Sequence, residues 1–132
     1  MTLTFQPLEL SLYTHEACQV SLQLKLLKEV HETPASSVGR SVRVGHDQVV
    51  KFEASPFKFD LEVSFDKYIP VKINATLRVM KNKSEKVSEY QIEITKFIGE
   101  NMTAAELEIS AQSGKPAPMI VRAFKFKCCL QN

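Results

Sequence analysis

The groups with the most chemical potential in this 132-residue chain are three histidines, His15, His31 and His46, and three cysteines, Cys18, Cys128 and Cys129. Nucleophilic catalysis needs a serine or cysteine beside a histidine base that a third group orients. Cys18 lies close to His15, but all three histidines fall in expected loops and no nucleophile motif surrounds them. No catalytic residue is assigned, and the chain is not expected to be an enzyme. Adjacent residues of a strand point to opposite faces, so Cys128 and Cys129 make a poor metal pair. No metal and no cofactor are expected. An odd number of cysteines is a poor disulfide framework and reads as free thiols. Cys129-Leu130-Gln131-Asn132 departs from a prenylation signal at its last two positions.

Basic residues offer the other chemistry. Lys81, Lys83 and Lys86 crowd one connection, while Lys58, Lys72 and Arg78 share the outward parity of two expected strands, with Lys51 as a further neighbour. Such groups could hold a partner protein or an anionic membrane surface, where each contributes about 1 kcal/mol. If the strands bearing Lys58, Lys72 and Arg78 are neighbours, they form a shallow basic face. Glu85 and Glu89 dilute the connection, and Asp60, Glu62 and Asp66 share the outward parity, so cross-strand ion pairing is the plainer account of that face. Nucleic acid is not an expected partner. The net charge is only +2, and Phe57, Phe59 and Phe65 lie on the parity opposite the lysines.

The elements that position these groups are read from alternation. Phe57, Phe59, Leu61, Val63 and Phe65 alternate with Lys58, Asp60, Glu62, Ser64 and Asp66, which predicts a strand with one buried face. After a break at Lys67-Tyr68-Ile69-Pro70, Val71, Ile73, Ala75, Leu77 and Val79 predict a second strand. The 81–86 connection leads to a third, in which Tyr90, Ile92 and Ile94 face inward.

Towards the N-terminus, Leu8, Leu10 and Leu12 predict a strand that could start as early as Leu3, with Pro7 confining it to an edge or a bulge. Gln19 to Lys28 is its expected antiparallel partner, and strict alternation from Val20 to Leu26 favours strand over helix there. His31 to Gly39 reads as an exposed loop. Short strands are expected at Arg40 to Val44 and Gln48 to Glu53, joined by a turn at Gly45-His46-Asp47. Gly99-Glu100-Asn101 reads as a turn. Thr103 to Glu106 reads as one helical turn or as a direct lead into a strand at Leu107 to Ala111. Ser113 to Pro118 reads as a loop, and Met119 to Cys128 as a last strand whose facing Arg122 confuses. The expectation is an all-β chain, residues 1–132 forming a single antiparallel eight-stranded β-sandwich.

The run Ala75-Thr76-Leu77-Arg78-Val79, the strand Tyr90-Gln91-Ile92-Glu93-Ile94 leading to Phe97-Ile98, and the ending Met119 to Phe126 together resemble a C2 domain, in particular its N-terminal C2 subfamily. The resemblance extends over about Val20 to Cys129 and implies a sandwich whose loops bind calcium, lipid or protein. It also implies the leading domain of a longer scaffold or trafficking protein, in the cytoplasm, with membrane or cytoskeletal association. Calcium-binding members carry aspartates shortly after the strand valine, because Ca²⁺ takes six to eight oxygen ligands. This chain has Lys81 and Lys83 at those positions. The resemblance therefore implies a calcium-independent module for association with other proteins, or alternatively one that binds anionic phospholipid. Asn74, Asn82 and Asn101 each begin an N-glycosylation acceptor pattern, which keeps an extracellular immunoglobulin-like adhesion domain as a third reading.

Overall fold

A computed structural model describes residues 1–43, 47–108 and 119–132. Its strands are β1 (Thr2–Thr14), β2 (Cys18–Leu26), β3 (Glu29–Glu32), β4 (Ser36–Val38), β5 (Gln48–Lys51), β6 (Phe57–Asp60), β7 (Phe65–Asp66), β8 (Ile69–Pro70), β9 (Asn74–Lys81), β10 (Glu85–Glu93), β11 (Thr103–Glu108) and β12 (Met119–Gln131), with a 3-10 turn at Ile94–Phe97. The chain is all-β, and every ladder between these strands is antiparallel.

Two five-stranded sheets carry the fold. In the first, the order is β11-β12-β1-β5, with β6 pairing on β1 beside β5; in the second it is β10-β9-β2-β3, with β4 pairing on β2 beside β3. Their apolar faces meet in one cluster, to which the first sheet gives Leu3, Phe5, Leu10, Phe59 and Phe124 and the second gives Leu22, Leu24, Leu77, Val79 and Ile92. This is a β-sandwich, the form in which two half-apolar sheets bury their inner faces against each other. The twelve strand segments exceed the eight expected because β1 and β2 each take two short partners in succession, and β7 and β8 form a separate hairpin.

Two bulges explain the places where alternation fails. In β1, Leu3, Phe5 and Pro7 are buried on odd positions and Leu10 and Leu12 on even ones, and the register against β12 slips between Pro7 and Glu9. An extra residue in one strand reverses its facing. Pro7 thus sits at a bulge in a central strand, opposite the gap where β6 ends and β5 begins. In β12, Met119 and Val121 face inward before the slip at Arg122, and Phe124, Phe126, Cys128 and Leu130 face inward after it. The arginine that obscured this strand is its bulge residue, and its guanidinium lies 3.6 Å from Asp47.

Several expectations need correction. The strand expected at Phe57 to Phe65 stops at Asp60. Leu61 remains buried and exchanges backbone hydrogen bonds with Met1, where the ladder with β1 ends. Phe65 is 57% exposed. The strand expected from Val71 begins at Asn74, leaving Val71 exposed, and runs on to Lys81. The 31–39 loop contains the end of β3 and all of β4, which cover the far edge of β2. His31 packs its ring on Phe57 and Phe59 across the sandwich, at 5.5 and 4.4 Å between centroids. Arg40 to Arg43 is not a strand, and the rest of that expected strand, with the turn at Gly45 and His46, lies outside the described residues. Ile94 to Phe97 is a 3-10 turn, Thr103 to Glu108 is a strand with no helical turn, and the last strand extends to Gln131. Ile109 to Ala111 and the 113–118 loop fall outside the described residues.

Candidate functional site

The six basic residues singled out by sequence do not form one surface. Lys58 lies on β6 in the first sheet and Arg78 on β9 in the second, so their outward side chains leave opposite faces of the sandwich. The shallow basic face required neighbouring strands, and these are not neighbours. Lys72 is exposed in the segment leading into β9, whereas Lys83 and Lys86 lie at the other end of that strand. Arg78 and Lys86 do converge, on one carboxylate. Glu89 accepts from Arg78 Nε at 2.9 Å, directly opposite in register, and from Lys86 Nζ at 3.3 Å. The Arg78 hydrogen bond, helped by Lys86, holds the Glu89 carboxyl below its ordinary range. Arg78 is thus paired across strands, but with Glu89 and not with Asp60, Glu62 or Asp66, the acids expected to neutralise it.

Lys81 is also not a loop residue. It closes β9, is buried, and its ammonium donates to Glu16 in the turn between β1 and β2. That hydrogen bond raises the lysine pKa and lowers the glutamate's. The turn beyond it is built for its path: Asn82 and Lys83 have φ of 51° and 65°, in the left-handed region that asparagine tolerates. Asn82 locks the turn to β2, donating its N–H to Gln19 O at 2.8 Å and accepting from Gln19 N–H through Oδ1 at 3.0 Å. Lys83 alone of the three connection lysines stands at the tip, exposed.

The cysteines are placed by packing. Cys128 faces the core, and burial pushes its thiol up to about 12. Cys129 faces the other way but is covered too, donating to Gly99 O at 3.2 Å. Cys18 is half-buried. Among the described residues no three His, Cys, Asp or Glu side chains gather as a metal site would require, and no helix is long and apolar enough to cross a membrane.

The feature that sequence reasoning passed over is the β7–β8 hairpin. Phe65, Ile69 and Val71 are 57%, 68% and 49% exposed, and Tyr68 at the tip is 99% exposed. Phe65 pairs with Pro70 and Asp66 with Ile69, so Lys67 and Tyr68 form a two-residue connection. Their φ values, 50° and 70°, are both left-handed, as a type I′ turn requires. Asparagine and glycine suit such a turn, whereas other residues in the left-handed region cost roughly 1–2 kcal/mol each. The available signal was a break whose central residues, lysine and tyrosine, have no turn chemistry, flanked by large apolar side chains.

The turn yields a direct test. Lys67→Asn with Tyr68→Gly relieves strain at two positions and removes no buried contact. Because asparagine relieves its position only in part and glycine adds entropy to the unfolded chain, the net expected gain is about 1–2 kcal/mol in urea unfolding. A loss of stability would mean that the left-handed pair is not strained.

The chain matches no family model, and none of the curated protein sequences matches it.

Proposed function

We propose that the chain is a non-catalytic, C2-like module for protein association that works without calcium. The observation that carries this reading is the hairpin: four large apolar side chains stand in water beside a core that buries most of the others, on a turn whose backbone is strained. Phe65 lies on one face of the hairpin and Ile69 and Val71 on the other, with Tyr68 at the tip, so the hairpin offers apolar side chains on both faces. Such exposure clustered in one element marks interaction sites, and strain that packing does not require accompanies function. The antiparallel sandwich supports the C2-like reading. Calcium independence is supported by lysine at positions 81 and 83, since ammonium groups cannot ligate a cation, and the Lys81 charge is already taken by Glu16.

Affinity capture with the wild-type chain is expected to retain partners that Phe65→Ser with Tyr68→Ser loses and that Lys83→Glu with Lys86→Glu keeps. The reverse pattern overturns the assignment to the hairpin. Flotation with phosphoinositide vesicles is expected to show no binding, and binding that Lys83→Glu abolishes would establish the lipid reading instead. Millimolar Ca²⁺ is expected to leave the thermal midpoint unchanged. A rise of several degrees would reveal a calcium site, because a ligand held only by the folded state stabilises it.

A further inference from the structure

We infer that the segment between β4 and β5 holds a binding site for a soluble phosphate monoester, formed by Arg40, Ser41 and Arg43. The site is separate from the hairpin and does not rest on its reading as an association element. Ser41 is joined to Thr14, the last residue of β1, whereas the hairpin follows Leu61, which is joined to Met1 at the other end of that strand.

The protons argue first. Gln48, which opens β5, donates from Nε2 to Gly39 O at 2.7 Å and to Ser41 Oγ at 2.9 Å, so both of its amide protons are engaged. Thr14 N–H donates to the same Oγ at 3.0 Å. A hydroxyl has two lone pairs and one proton. Both lone pairs of Ser41 are therefore occupied, and its own proton has no acceptor among the described residues. Ser41 is only 7% exposed, and a buried donor without a partner costs free energy that a ligand oxygen would recover. These bonds, with Ser41 N–H to Thr14 O at 2.9 Å, also clamp residues 39–41, so the neighbouring arginines stand on a fixed backbone.

Charge then selects the ligand. Arg40, Ser41 and Arg43 line one open cavity of about 490 Å³ with Val42, Asp47 and Gln48, a size usual for a ligand site. Arg40 and Arg43 are exposed, and neither forms an ion pair among the described residues, which include all fifteen acids of the chain. Asp47 is engaged by Arg122 at 3.6 Å. The cavity thus offers two guanidinium groups and one hydroxyl proton, all of them donors. Guanidinium forks match phosphate oxygens, and a phosphate monoester brings three acceptor oxygens and about −1.5 to −2 charge. Three donor groups meet three oxygens, whereas a carboxylate has two and a single charge. Asp47 in the lining opposes an extended anionic surface, which favours a soluble ester over a membrane.

Calorimetric titration of the whole chain with O-phospho-L-serine, at constant ionic strength, is expected to show saturable binding. Arg40→Gln and Arg43→Gln should each weaken it about tenfold, the loss of one charge-assisted contact. Asp47→Asn should strengthen it several-fold, and Lys58→Glu, in β6 opposite Thr4, should leave it unchanged. The thermal midpoint without ligand should be the same in both arginine variants, so that lost binding is not lost fold. No binding of O-phospho-L-serine, acetate bound as tightly, or an affinity indifferent to both arginine substitutions overturns the inference. Flotation with phosphatidic acid vesicles is expected to show no binding. Vesicle binding that Arg40→Gln with Arg43→Gln abolishes would overturn the soluble ester in favour of a lipid phosphate.

Discussion

Phe5→Ala is expected to destabilise the fold by about 3–5 kcal/mol, the cost of removing a fully buried phenylalanine and leaving a cavity. Phe5 is 0% exposed and lies at the middle of the first sheet. Its ring stacks on Phe126 at 4.9 Å, on Phe124 at 6.2 Å and on Phe57 at 6.5 Å, which ties β1 to β12 on one side and to β6 on the other. No neighbouring side chain is small enough in this aromatic group to refill the space cheaply, because cores are close-packed. A loss of this size is a large share of the roughly 5–15 kcal/mol that domains have. Urea unfolding should show a lower midpoint with an unchanged slope. Phe65→Ala provides the contrast: the same residue type, exposed on the hairpin, should change stability by less than about 0.5 kcal/mol. Equal losses at the two positions would mean that the aromatic cluster does not hold the sheets together.

Alkaline pH is the second large lever. The Cys128 thiol is raised from 9.0 to about 12, chiefly because burial penalises the thiolate, with Cys129 adding to it. A pKa raised by folding means that the unfolded chain sheds a proton that the folded chain keeps. The associated stability is whole below about pH 9 and is lost as pH rises towards about 12. Each unit of difference corresponds to about 1.4 kcal/mol, so this one group removes about 4 kcal/mol over the window. Cys128→Ala is expected to flatten the decline between pH 9 and pH 11, although it lowers stability at pH 7 through lost packing. An unchanged alkaline slope would show that Cys128 ionises freely. A thiol held in this way is inert, so thiol-directed reagents at neutral pH should reach Cys18 first and Cys128 only on unfolding.

Much of the architecture was legible in the order of residue types. Val20 to Leu26 alternates strictly and is a strand with Val20, Leu22, Leu24 and Leu26 buried. Ala75, Leu77 and Val79 face inward, as their parity required. Alternation reports such faces because a period of two is local. It could not say where a ladder ends. Phe65 and Val71 continue the inward parity, yet both stand in water, because the strands beside them have already stopped and parity without a partner buries nothing. Leu8 and Arg122 show the converse, where a bulge in one strand against another shifts the facing and only the pair of strands reveals it.

The candidate site was read less well, for a related reason. Lys81, Lys83 and Lys86 lie close together in sequence, but one ends a buried strand against Glu16, one is bound to Glu89 and Lys83 stands exposed at a tip, with no ion pair among the described residues. Charge along a chain does not disclose which carboxylate will stand opposite. By itself, the sequence determined the all-β class and the inward faces of the central strands, both of which depend on residue type and local spacing. Only the tertiary structure decided that the basic residues separate onto opposite faces and that an apolar hairpin is left outside both sheets. Those outcomes depend on which strands become neighbours and where each ladder ends, and such pairings join residues distant in sequence.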